Sequence, residues 1–213
     1  MGKKNDYSKY ENIPEDKKER LDYVIKLLKL KDKDLNLVED LIDGIRQKKK
    51  KYKQIINMTF FIKPEGIARP RKGLYGFYVP NIQKFYSYMK EYLKIHKEIA
   101  DVNIFSECKI DCKFYFPIPS DMRKIEKFLA ELKVIKCIKK PDWDNVGKST
   151  DMLHMLWLDD SLVTDARVRK YYSFKPRIEI RIVYYTTHTN SYHELCIDKL
   201  LKQKERKKKK HEK

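Results

Sequence analysis

The chain has 213 residues, 41% of them hydrophobic and 12% aromatic, enough for one domain with a real core plus an appendage. No apolar run approaches the roughly 18 residues of a membrane span, and the N-terminus has no signal-peptide core, so a membrane or exported protein is not expected. The 49 Lys and Arg against 31 Asp and Glu give a net charge of +18, a balance suited to a polyanionic partner, of which nucleic acid is the usual one. Residues 199–213 hold nine Lys or Arg and two Glu, so +7 of that charge is terminal and +11 remains for the rest. Cys108, Cys112, Cys137 and Cys196 form no C-x-x-C pair and no zinc spacing, and reduced, buried thiols are expected.

Residues 1–12 are polar. Pro14 opens a helical pattern with Leu21, Val24, Ile25 and Leu28 on one face, the KDKD stretch interrupts it, and Leu35, Val38, Leu41, Ile42 and Ile45 continue a second one. This predicts a helical hairpin ending in the run Lys48–Lys51, read as a solvated helix end. Residues 55–62 read as a first strand, and 63–80, with three of the six glycines and three of the eight prolines, as a loop or irregular hairpin. A helix is expected over roughly 81–99, carrying Ile82, Phe85, Met89 and Tyr92 or Leu93 on one face. Residues 107–116 alternate cleanly, with Cys108, Ile110, Cys112, Phe114 and Phe116 on the buried side. A Lys-rich helix or ordered loop comes next over 120–134, then an acidic motif with its helix. Strands near 162–172 and over 177–185 close the pattern as an expected antiparallel pair. A short helix at 193–201 and a disordered basic arm end the chain. The order β-α-β-α-β-β predicts an α+β fold, a small mixed or antiparallel sheet covered by helices on one face. The expected divisions are a helical extension over 1–52, the main folded domain over 53–190 and a basic C-terminal helix or tail over 191–213.

The acidic motif is KPDWDNVGK, residues 140–148, succeeded about one helix length later by Asp159 and Asp160. On extended backbone Asp142 and Asp144 would project to the same side. A helix from Asn145 to Leu156 would carry Lys148 one turn beyond Asp144. Three or four carboxylates so gathered suit a hard divalent cation, which takes oxygen ligands and keeps waters. The bland alternatives are an Asp N-cap at the helix start and a salt bridge from Lys148 to Asp144 or Asp151. Asp151 reads as a helix-surface residue or one that supports the ligands from behind, Asp165 as strand surface in preference to a fifth acid near the site, Trp143 and Trp157 as core, and His154 as core or surface.

Residues 139–163, KKPDWDNVGKSTDMLHMLWLDDSLV, resemble the signature of the RusA family of Holliday-junction resolvases: a K-P-D-x-D-N-x-x-K stretch, a helix, then D-D-x-x-V. KPEGIARPRKG (63–73), FYFPIPS (114–120) and VRKYYSFKPRIEIRI (168–182) are similar to the family's R-P-R loop, its strand before the central loop and its closing strands. The resemblance implies a homodimeric, Mg²⁺-dependent endonuclease, with Mn²⁺ as a substitute, that nicks branched DNA symmetrically in recombination or repair. It would be bacterial or phage-encoded and cytoplasmic. On the matching positions Asp142, Asp144 and Asp160, with Asp159 beside them, would hold metal, and Lys148 would be the essential lysine. Only Ser149 and Thr150 separate Lys148 from Asp151 where the family pattern has three residues, a shortening that would rotate the rest of the helix by about 100°.

Arg69 and Arg71, flanking Pro70, are candidate phosphate clamps. Lys140, Lys170, Lys175 and Arg177 are further candidate backbone contacts. Two other readings compete: a non-catalytic nucleic-acid-binding protein with a structural acidic cluster, and a nucleotide-sugar transferase using D-x-D. The second lacks the chain length and any phosphate-cradling Gly-rich turn.

Overall fold

The computed structural model describes Pro14 and residues 16–68, 71–73, 76–79 and 81–211, and divides into two compact units, 1–47 and 48–213. In the first, α1 (Lys17–Leu28) is capped by Asp16, whose carboxylate accepts the Lys18 and Glu19 backbone N–H groups at 2.9 and 3.0 Å. Lys29 ends it in the left-handed conformation, φ 53°. α2 (Asp32–Lys51) begins inside the KDKD stretch, with the Asp34 carboxylate accepting Lys31 N–H at 2.9 Å, and its last four residues belong to the second unit. The apolar positions of these helices are not core: Leu21, Leu28 and Leu41 are all more than half exposed.

The second unit is built on a four-stranded mixed sheet in the order β1-β6-β4-β5, from β1 (Lys53–Phe60), β4 (Cys108–Pro117), β5 (Val163–Ser173) and β6 (Arg177–Tyr185). A separate two-stranded hairpin, β2 (Arg71–Gly73) and β3 (Gly76–Tyr78), lies within the expected irregular segment. The anticipated antiparallel pairing of the last two strands is not what forms. β4 lies between them, parallel to β5 and antiparallel to β6. The three residues joining β5 to β6 are enough to step across one intervening strand, because neighbouring strands are only about 4.8 Å apart. β4 also has what an interior strand needs. Phe114, Tyr115 and Phe116 are all buried, beyond what alternation alone would bury. Tyr115 is sealed on the outer side by the Arg177 guanidinium, 3.7 Å from its ring centre, and by Tyr171.

The inner face carries the core: Met58, Phe114, Ile178, Ile180 and Ile182 from the strands, and Phe85 and Met89 from α3 (Ile82–Ile95), all at most 2% exposed. Each such side chain contributes roughly 1.5–3 kcal/mol of burial. The short helix α4 (Lys97–Ala100) succeeds α3, and α5 (Lys124–Glu131) lies within the Lys-rich stretch. Cys108 and Cys112 are free and buried in this core, and burial pushes both thiols up to about 12. The outer face is ionic instead, with Lys109 against Asp165, Arg169 against Asp111 and Arg177 against Glu179. The C-terminal helix, expected to be short and to give way to a disordered arm, runs as α7 from Ser191 to His211. Lys, Arg, Gln and Glu fill the added turns and are good helix formers. Among the described residues no helix is long and apolar enough to cross a membrane.

Candidate active site

The acidic motif begins at a chain segment held from behind. The Lys170 ammonium, on β5, donates to the Lys139 and Pro141 carbonyls at 2.7 and 2.6 Å, fixing the approach to Asp142. Helix α6 (Trp143–Gly147) then starts earlier than expected, with Asp142 as its N-cap residue and Asp144 already in its first turn. The two carboxylates therefore straddle a helix start and do not share one side of a strand, since residues two apart on a helix face different ways. The same early start leaves Trp143, expected in the core, 69% exposed. Val146, fully buried, is the residue that roots α6 in the core.

At Lys148 the winding tightens into a 3-10 helix, Lys148–Met155. Ser149 and Thr150 hydroxyls donate to the carbonyls three residues back, Val146 and Gly147, at 2.6 and 2.7 Å, which suits three residues per turn. Eight residues turned by about 120° each gain some 160° over an α-helix. This is of the same order as the roughly 100° that a one-residue shortening removes, and opposite in sign.

At the far end, Leu153, Leu156 and Trp157 are buried, and Ile104 clamps the segment by hydrogen bonds to Leu156 O and from Leu158 N at 2.7 and 3.0 Å. The Trp157 indole N–H donates to the Asp160 carboxylate at 2.6 Å. Asp159 caps the short 3-10 turn Asp160–Leu162 by accepting Ser161 N–H at 3.0 Å.

A cavity of 580 Å³ joins the two ends. Lys148, Asp151 and Asp160 line it together with Asn145 and Thr150, against apolar walls that include Ile67, Ile110 and Val163. Asp142, Asp144 and Asp159 are not part of its lining, but Asp144 is tied to it: its carboxylate accepts from the Lys148 ammonium at 3.1 Å. That hydrogen bond is the main reason its carboxyl lies below the usual range. Asp151, read from sequence as helix surface or a support behind the ligands, faces the cavity and accepts a short hydrogen bond from the Tyr86 hydroxyl. This bond first, then burial and the charges of Asp151 and Asp160, push the Tyr86 phenol up to about 12. The signal for Asp151 was its position three residues after Lys148, on the same helical face. Asp165 lies on the outer strand surface against Lys109 and Arg167, and His154 is exposed, edge-on to Tyr86.

Among the described residues no three Asp, Glu, His or Cys groups gather as a metal cage. The donor chemistry still suits Mg²⁺. The acids are hard oxygen donors, and this ion is commonly held by one or two carboxylates completed by substrate phosphates.

The family model Endodeoxyribonuclease RusA matches residues 62–183, the span that contains this cavity and both ends of the acidic segment. The chain belongs to the RusA family. It is also 32% identical over 134 residues to the Uncharacterized protein YqaN of Bacillus subtilis (strain 168), covering 60% of this chain and 94% of that protein. RusA-family proteins are endodeoxyribonucleases that act on Holliday junctions, so nuclease action on branched DNA is the activity the membership supports.

The loop that resembles the RusA R-P-R segment packs directly on the motif. Ile67 N–H donates to Asn145 O at 2.9 Å, and the Asn81 side chain bonds Gly66 O and Ala68 N, each at 2.8 Å. A Cβ on Gly66 would sit 2.6 Å from the Pro141 Cβ, a ring atom that cannot swing aside, so the close approach needs glycine. Arg69 lies outside the described residues, while Arg71 is exposed on β2. Lys140 is exposed beside Asp142. The other candidate phosphate contacts have partners of their own: Lys170 on two carbonyls, Lys175 over the Phe61 ring at 4.4 Å, and Arg177 on Glu179 and Tyr115.

Proposed function

We propose that the chain is a Mg²⁺-dependent, structure-selective endonuclease that resolves four-way DNA junctions by paired symmetric nicks. Family membership supports the nuclease class. The observation that supports this site is the convergence of Lys148, Asp151 and Asp160 on one cavity, with Asp144 hydrogen-bonded to Lys148.

In this reading Asp142, Asp144 and Asp160, with Asp159 adjacent, would be the residues that hold a divalent ion in the DNA complex. When bound, Mg²⁺ polarises the phosphodiester and lowers the barrier to its hydrolysis. Lys148 exchanges its Asp144 partner for the phosphate and neutralises charge that develops there. Trp157 orients Asp160 through its indole N–H, and Tyr86 orients Asp151. Arg69, Arg71 and Lys140 are the proposed DNA contacts. Lys170 instead positions the chain before Asp142.

A homodimer would set two such sites on strands of like polarity and so pair the nicks. Ile125, Phe128 and Leu132, at positions 0, 3 and 7 along α5 and its end, are all more than half exposed and offer a surface for it. The nuclease is assigned to 53–190, with 1–52 and 191–213 as additions.

The test incubates the protein with a synthetic four-way junction or a linear duplex of the same sequence, in Mg²⁺, Mn²⁺ or EDTA, alongside Asp144→Asn. Cleavage is expected on the junction alone, requires the divalent ion, and is abolished by the substitution while binding survives. Tight junction binding with no cleavage in either ion would identify a non-catalytic binding protein instead.

A further inference from the structure

Helix α7 lies beyond the RusA match, which ends at residue 183, yet it is docked beside the acidic doublet. Its first turns are anchored. Asn190 caps it by accepting His193 N–H at 2.9 Å, Ile197 is buried and Leu200 packs on the core. With Ser161, Leu162 and Thr164, close after Asp160 in the chain, the helix walls a 300 Å³ cavity through Tyr192, Cys196 and Ile197. Farther along, the Lys204 ammonium donates to the carbonyl of Leu158, the residue before Asp159. One helix thus grips the chain on both sides of Asp159 and Asp160.

Beyond Leu201 its character changes. Residues 202–211, KQKERKKKKH, contain seven Lys or Arg, one Glu and no apolar residue. As helix this stretch is about 15 Å long, so it carries six net positive charges over a length in which duplex DNA carries about nine negative ones. A membrane-surface helix needs an apolar face to insert, and this segment has none. A helix anchored beside the acidic doublet, whose distal half carries charge opposite to and approaching that of a duplex of equal length, fits the phosphate backbone of the substrate.

We propose that the distal half of α7 is a second DNA-binding element. It grips the duplex arm adjoining the active site by counterion release, while Lys204 keeps the helix registered on the Asp159–Asp160 segment. The proposal rests on the nuclease reading for its substrate and on the helix alone for its mechanism.

The experiment compares the full chain with a variant carrying Lys202→Gln, Arg206→Gln, Lys207→Gln, Lys208→Gln, Lys209→Gln and Lys210→Gln, Lys204 being kept. Lys202 and Arg206 are exposed, and glutamine is as good a helix former as lysine, so the fold should be kept, which circular dichroism checks. Affinity for a synthetic four-way junction and for linear duplex is measured in EDTA over about 50–200 mM salt, and single-turnover cleavage is measured in Mg²⁺ at saturating protein. Expected are a salt-dependence slope shallower by about three or more, from about 0.9 per lost phosphate contact, and affinity at least tenfold weaker on both DNAs. Saturated cleavage should change less than twofold. An unchanged slope and affinity, with wild-type protein binding and cutting normally, overturns the helix proposal and leaves the nuclease reading standing. Wild-type protein that binds but never cuts, with the slope still reduced in the variant, sinks the nuclease reading and supports the helix as a DNA contact.

Discussion

The two ends of the acidic segment are built differently. At the front, Asp142 and Asp144 stand at the start of a five-residue helix, both exposed, with the Lys148 ammonium on the Asp144 carboxylate. At the rear, Asp151 and Asp160 are each held by an aromatic donor from the core side, Tyr86 and Trp157, and both line the cavity. Asp160 is exposed as the front acids are, so the contrast lies in the partner: an ion pair at the front, hydrogen bonds from rings packed on the core at the rear. In the proposed function a phosphate and a cation enter between the acids, and the front is the side that can open for them, because an exposed ion pair contributes little in water.

If that contrast is right, removing charge matters most at the acids that act on the phosphate. Asp160→Asn and Asp144→Asn are each expected to cut single-turnover junction cleavage by about 10³-fold, with binding in EDTA retained within a few-fold. Lys148→Met should cost about 10²-fold. It should also return the Asp144 carboxyl toward the ordinary range, visible by NMR titration. The sign comes from Asp144 being held low. The Lys148 contact favours the carboxylate, is fully made above the usual Asp range and is lost as the pH falls through the lowered value.

Breaking the rear supports should have smaller effects. Trp157→Phe keeps the ring in the core but removes the donor to Asp160, and about a tenfold loss of rate is expected, with a stability loss of about 1–2 kcal/mol in denaturant unfolding. Tyr86→Phe should slow cleavage only a few-fold. In alkaline absorbance titrations of the two proteins, wild type and Asp151→Asn, the difference curve should show the substitution bringing one tyrosine from near 12 back toward 10. The native state keeps that phenol protonated, so its contribution to stability is full below pH 10 and fades as the pH rises toward 12.

Much of this architecture could be read from residues alone, for physical reasons that also mark where reading stopped. The clean alternation of β4 and the isoleucine row of β6 announced half-buried strands, and the acidic segment with its flanking loops announced the family. Strand order was not legible. Nothing local in β5 or β6 says that β4 lies between them, because pairing depends on which strand can be buried on both sides. Trp143 misled for a related reason: the helix begins earlier than it would if Asp144 were the cap, and each residue on a helix turns a side chain by about 100°. Asp151 was only half legible: its spacing from Lys148 put it on the same helical face, but did not say which way that face turns. Only the tertiary position of Tyr86, sixty-five residues earlier, shows that this face is the lining of the cavity. The 3-10 winding was likewise outside the sequence pattern, since Ser149 and Thr150 bond backward just as readily in an α-helix.

In the proposed mechanism, acids from the two ends serve one phosphate. The most direct test measures single-turnover junction cleavage in saturating Mg²⁺ for wild type, Asp144→Asn, Asp160→Asn and the double variant. Groups that act as a unit are strongly non-additive, so the double variant should be no slower than the slower single one. A double variant slowed by the full product of the two single effects, or an Asp160→Asn protein that cleaves at the wild-type rate, would show that the two ends do not form one site.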